Sequence, residues 1–215
     1  MIIIRRLNPL FIIALGILVP GLGLGAVDTV KQPIDVIHEV GDRILSILTT
    51  CPPNMTPEIK RKRRQEVVKI VYDFVDFEEM AKRALGRYWK IEPEDKRKEF
   101  VSLFEKLLYN TYVNRIDAYS CKKEKIFYDE QKIRGRYAIV RTRVRGDKNA
   151  EFPVEYRLKL KDGTWKCYDV VIEGVSFISN YRTQFNSILA RKSFDELLDD
   201  MRRKISEIEQ KHNQQ

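Results

Sequence analysis

Apolar residues recur at helical spacing from Pro33 to Thr49, where Ile34, Ile37, Val40, Ile44, Leu45 and Leu48 share one face. Cys51-Pro52-Pro53-Asn54 breaks that helix and turns the chain. A second helix is expected from Pro57 to about Val71, with Thr56 as N-cap and proline at the first helical position. Asp76 opens a third over Phe77 to Leu85, with Glu79 placed as in a capping box and Gly86 as its stop. A fourth runs from Pro93 to about Tyr119 on the stripe Phe100, Leu103, Phe104, Leu107, Leu108, Tyr112 and Ile116.

The apolar period then shortens to two. A short strand is expected at Ile126 to Tyr128. Tyr137 to Arg145 alternates, with Ala138, Val140, Thr142 and Val144 on one side. Phe152 to Leu160 does the same, with Phe152, Val154, Tyr156, Leu158 and Leu160 inward and Glu155, Arg157 and Lys159 outward. Lys161-Asp162-Gly163 reads as a tight hairpin, followed by a last strand from Trp165 to Ile172. After a Glu173-Gly174 corner, two helices close the chain: Val175 to Leu189, and Phe194 to about Ile208 behind a Ser193 cap. Helices, an antiparallel meander, then helices again give an α+β fold of about four strands, without repeats or a dividing linker.

The first residues change the picture of where the chain works. Arg5 and Arg6 precede an apolar run from Leu10 to Val19, which stops at Pro20 and is followed by Gly21, Gly23, Gly25 and Ala26. That is the layout of a signal peptide over 1–25, ahead of a single domain over 26–215. The run is shorter than the ~20 apolar residues a membrane-spanning helix needs. The formal GxGxxA match at Gly21 to Ala26 lies within this leader and has no strand–helix sequel, so it is set aside. Without Arg5 and Arg6, 38 of the 40 basic residues remain against 31 acids, still a clear excess of positive charge. In an exported protein, that excess meets phospholipid headgroups before nucleic acid. The densest run, Lys60 to Arg64, reads first as a solvated helix face and second as a contact for headgroups or an acidic partner. Of the three cysteines, Cys167 alternates inward in a strand. Cys51 and Cys121 sit at element ends and are the favoured disulfide pair, with other connectivities left open.

Catalytic chemistry is sparsely supplied. There are two histidines, His38 and His212, and no HExxH, CxxC or GxSxG. The pairs Glu78-Glu79 and Asp199-Asp200 lie on helices rich in Lys and Arg and read as surface pairs. No catalytic residue, metal ligand or cofactor is assigned. The surplus is apolar: the Phe152 strand, the last strand, the Phe100 stripe and the Val175 helix together could enclose a cavity.

Three phrases carry a resemblance: VDFEEMAKRALGRYW (Val75 to Trp89), VEYRLKLKDGTWKCYD (Val154 to Asp169) and DVVIEGVSFISNYRTQF (Asp169 to Phe185). In this order they resemble the MlaC-type, or toluene-tolerance, family of periplasmic lipid carriers, over roughly residues 35 to 205. The three cysteines depart from that family's pattern. The resemblance implies a curved antiparallel sheet packed with helices around an apolar cavity for phospholipid tails. It implies a periplasmic carrier, with an outer-membrane lipoprotein complex and an inner-membrane ABC transporter bearing an MCE-domain subunit as partners, and no nucleic acid. On that expectation, strand alternation and helical stripes place the tails against Phe104, Leu107, Val140, Val154, Tyr156, Leu158, Val170, Ile172, Val175 and Ile178. Gly174 serves the chain reversal, and Arg182 either contacts a phosphate or pins its helix. The alternatives are a periplasmic enzyme on a cone-shaped α+β fold, which would need convergent polar groups in the cavity, and an adaptor with a filled core.

Overall fold

The structure, a computed structural model, describes residues 30–114, 116, 121, 124–146 and 150–213. The expected signal peptide lies outside the described residues. Six α-helices and five strands occur among those described: α1 Pro33–Thr49, α2 Pro57–Phe74, α3 Phe77–Leu85, a 3₁₀ turn Gly86–Lys90, α4 Glu94–Tyr112, β1 Lys125–Arg134, β2 Tyr137–Arg145, β3 Glu151–Lys161, β4 Thr164–Ile172, β5 Val175–Ser176, α5 Phe177–Leu189 and α6 Phe194–Asn213. The strands form one antiparallel sheet in chain order, β1 to β5. No helix among the described residues is long and apolar enough to cross a membrane.

Helix starts follow their caps. The Thr56 hydroxyl accepts from the Ile59 amide, and the Asp76 carboxylate accepts from that of Glu79. Three boundaries differ from the sequence expectation. First, α4 closes at Val113, short of Tyr119, which lies outside the described residues. Second, β1 is ten residues long, because a bulge between Tyr128 and Glu130 resets the alternation that the polar stretch Asp129 to Lys132 hides. Third, Val175 is a strand residue paired with Ile172 rather than the start of a helix. Glu173 (φ 50) and Gly174 (φ 82) both take left-handed backbone, so the strand reverses in two residues. The helix begins only at Phe177, capped by Ser176.

The register puts Val140, Thr142, Val154, Tyr156, Leu158, Trp165, Cys167 and Val170 on one face of the sheet, and Arg141, Arg157 and Asp169 on the other. A bulge in β4 between Cys167 and Asp169 is what turns Asp169 away from the apolar face. Asp169 is buried at 3% exposure, and its carboxylate is fully engaged. It accepts from Arg157 Nη1 at 3.1 Å, from Ser176 Oγ at 2.7 Å and from the Ile178 amide at 3.0 Å. These bonds seat the N-terminus of α5 on the second face, beside α3. There α3, α4, α5 and α6 make a core in which Phe185 meets Phe100 and Phe104, and Tyr181 meets Phe104, edge to face at 5.0–5.6 Å, while Phe100 and Phe104 stack at 5.7 Å.

Glu79, expected at the surface, is buried instead. Its carboxylate pairs with Arg83 at 2.8 Å and with Lys159 of β3 at 2.5 Å, tying α3 to the sheet. Burial pulls its pKa up, but Lys159 and Arg83 outweigh this and hold it below the usual carboxylate range. Arg182 is a pin: its Nε donates to the Arg83 carbonyl at 2.7 Å, at the end of α3.

Three outcomes are expected. Replacing Asp169 with Ala leaves Arg157, the Ser176 hydroxyl and the Ile178 amide without their acceptor, and urea unfolding should show a loss of about 3 kcal/mol. The depressed Glu79 carboxyl contributes stability that is full above its unfolded pKa and is lost as pH falls through its folded one. The stability gap between wild type and Glu79→Gln should therefore be widest near neutrality and close on acidification, read from urea midpoints at pH 7, 5 and 3. Cys167 is 2% exposed, and burial pushes its thiol up to about 12. Ellman's reagent at pH 8 should find no thiol in the native protein and one after unfolding without reductant; a fast native reaction would contradict that burial.

Candidate ligand cleft

With the large helical core on one face of the sheet, the apolar face is left to α1 and α2. α1 lies along β1 and is tied at both ends. At its start, the Ile34 amide donates to Gln131 Oε1 at 2.9 Å, and Trp165 Nε1 donates to the Lys31 carbonyl at 3.0 Å. In the middle, His38 stacks on Tyr128 with ring centroids 4.3 Å apart. Gly41 allows this approach: a Cβ there would stand 2.6 Å from Tyr128 Oη and 3.1 Å from Ile126 Cδ1. At its end, Cys51 and Cys121 form a disulfide, and the Cys121 amide donates to the Leu48 carbonyl at 2.8 Å. Arg63 departs from the expected solvated run: it is buried, and its Nη2 donates to the carbonyls of Ile47 and Leu48. Lys60, Arg61 and Lys62 remain exposed.

Between these ties is a cavity of about 410 Å³, within the range of small-molecule sites. α1 supplies Ile37, Val40, Ile44, Leu45 and Leu48; α2 supplies Val71 and Phe74; the sheet supplies Ile126, Val144, Tyr156, Cys167 and Val170. Glu124 is the one charged residue among those lining it. The Tyr156 phenol is pushed up to about 12, chiefly by burial, so it stays neutral and uncharged toward any occupant. Val40 and Phe74 also wall a second, more polar space of about 590 Å³ that reaches Trp165 and the β3–β4 hairpin. No group of His, Cys, Asp and Glu fit to hold a metal occurs among the described residues. Such a cleft can take a long apolar ligand and offers little to orient a polar reaction.

The ten residues expected at a ligand are distributed unevenly. Tyr156 and Val170 line the cleft. Val140 and Leu158 are fully buried beneath α1, and Val154 is buried further along the same sheet face. Phe104, Leu107 and Ile178 belong to the helical core instead, where they are buried among α3, α5 and α6. Ile172 and Val175 stand exposed on either side of the Glu173–Gly174 turn. The cavity wall expected from the Phe100 stripe and the Val175 helix is thus supplied by α1 and α2. The stripe on α1 was visible in the sequence; that it meets the sheet was not.

Two curated relatives align with the chain. The intermembrane phospholipid transport system binding protein MlaC of Haemophilus influenzae is 27% identical over 139 residues, covering 62% of this chain and 64% of that protein. The toluene tolerance protein ttg2D of Pseudomonas putida is 26% identical over 129 residues, covering 59% of each. The matched stretch therefore spans less than two thirds of the length of either relative. Among solved structures, the phospholipid-binding protein from Ralstonia solanacearum, in complex with a phospholipid, shares the fold at a TM-score of 0.69 and 19% identity, covering 83% of this chain and 99% of that one. The family described as MlaC protein matches residues 39–203, from within α1 to within α6 and well over half of the sequence. By that match, this chain belongs to the MlaC protein family.

Proposed function

We propose that the chain is a periplasmic phospholipid carrier that holds acyl tails in the cleft between α1, α2 and the apolar face of the sheet. One observation carries this reading: a preformed cavity whose lining includes a single charged residue, Glu124. Residues 1–25 act as the exported leader, and 26–215 form one lipid-binding domain. The partners are an outer-membrane lipoprotein complex and an inner-membrane ABC transporter with an MCE-domain subunit, and no catalytic step is assigned. The relatives support this, one named for intermembrane phospholipid transport and another solved with a phospholipid bound.

The energetics agree. Each acyl CH₂ exposed to water costs about 0.8 kcal/mol, so two chains of ~16 carbons face a barrier above ~20 kcal/mol. A carrier lowers that barrier by enclosing the tails, and apolar walls accept tails of varied length without demanding one headgroup. Tyr156 and Val170 form the floor, and the α1 stripe forms the roof. Val140, Val154 and Leu158 are packed into the sheet beneath. Phe104, Leu107 and Ile178 hold the opposite core rigid while the cleft fills and empties.

Protein purified from a bacterial periplasm should carry diacyl phospholipid near one per chain in native mass spectrometry. Val170→Trp should cut that content at least about tenfold by filling the floor of the cleft, with a melting temperature close to wild type. Full lipid content in that variant would move the tail site elsewhere. A wild-type chain free of lipid that also refuses it from liposomes would sink the carrier reading.

A further inference from the structure

Helix α1 descends β1 from Gln131, past Tyr128, to Ile126, so Leu48 reaches the end of the sheet where Ile126 and Val144 pair. Ile172 ends β4 at the same edge, since the register steps from Val144↔Phe152 to Val154↔Ile172. At that end Leu45 and Leu48 are half-exposed and line the cleft. Ile172 is 47% and Val175 65% exposed, forming an apolar tip held out by the two-residue turn.

Charge gathers at the same place. Arg63 is folded under to grip the Leu48 carbonyl, which fixes the first turns of α2 beside the cleft end and turns Lys60, Arg61 and Lys62 outward. Lys125, exposed, begins β1 there. None of these four forms an ion pair among the described residues. On the open face of the sheet the pattern is the reverse: Arg141, Arg143, Arg145 and Arg157 are each matched to Asp129, Glu130, Glu151, Glu155 or Asp169. Against these four cations stand three acids on the same segments: Glu58 on α2, Glu124 just before β1 and Glu173 in the β4–β5 turn.

We infer that this end of the molecule docks on the surface of an anionic bilayer, with Lys60, Arg61, Lys62 and Lys125 against the headgroups and the Ile172–Val175 tip in the interface. The inference rests on the carrier reading above. A bilayer fits better than an acidic protein, because the exposed tip gains from an apolar boundary and a tail entering past Leu48 then avoids the water phase. Interfacial attraction grows by about fivefold per Lys or Arg near such a surface and fades at high salt.

The test is co-sedimentation of the full mature chain with phosphatidylcholine vesicles, with and without phosphatidylglycerol, alongside native mass spectrometry of the same samples. Attachment should need phosphatidylglycerol and disappear at high salt. Lys60→Gln, Arg61→Gln and Lys62→Gln combined should weaken it about 100-fold, and Val175→Glu should weaken it separately. The triple variant should keep its lipid content, because none of the three lines the cleft. Vesicle binding unchanged by these substitutions, or absent while the protein carries lipid normally, overturns the docking surface and leaves the cations to an acidic protein. A chain that carries no lipid at all overturns the carrier reading, and this inference with it.

Discussion

One buried carboxylate decides which side of the sheet does what. Asp169 is rotated off the apolar face by the β4 bulge, and there it takes donors from Arg157, Ser176 and the Ile178 amide. A polar group at that depth is tolerated only when it is fully hydrogen-bonded, so the bulge, the short β5 strand and the entry of α5 must all be present together. With α5 seated on the second face, its partners α3, α4 and α6 follow it there. The strongly apolar face is left without the large helical core.

The two sides consequently differ in firmness. Phe100, Phe104, Leu85 and Leu197 are at most 1% exposed and packed ring against ring or against helix. Over the other face, Ile34, Val40, Ile44, Leu45 and Leu48 of α1 are only half-buried. α1 is fastened by the Trp165 and Gln131 bonds at one end and by the disulfide and Arg63 at the other. A helix fastened at its ends over an incompletely filled space belongs to the less stable part of a fold, the part from which ligand sites are drawn. The rigid core maintains the sheet while the cleft changes its contents.

Surface charge is divided on similar lines. Across the open sheet face, arginines and acids alternate between neighbouring strands and neutralise one another, which keeps an exposed edge sheet from pairing with a second chain. Where the cleft reaches its end, Lys60, Arg61, Lys62 and Lys125 are exposed and form no ion pair among the described residues. The apolar site and the unbalanced charge thus lie together, although they come from α1, α2, β1 and the β4–β5 turn.

Much of this was legible without coordinates. The bounds of α1 and α3, the Asp76 and Ser193 caps, the β2 and β3 alternation and the Asp162-Gly163 turn are local properties, set by residues within a few positions of one another. The family likeness was equally readable from three contiguous phrases. Other features depend on neighbours distant in sequence. The sequence shows only three residues of β1 as a strand because a bulge hides its alternation, and it shows Val175 as helical because pairing with Ile172 requires the turn to be formed first. Glu79 and Arg63 have the sequence surroundings of surface charges, and they are buried because Lys159 and the end of α1 come to meet them. Most of all, periodicity says that the faces of α1 and α4 are apolar without saying what each will cover. The sequence alone determined most of the helices, the central strands, their caps and the kinship of the chain. Only the tertiary structure assigned α4 to the core and α1 to the cleft, because that choice is made by long-range contacts centred on Asp169.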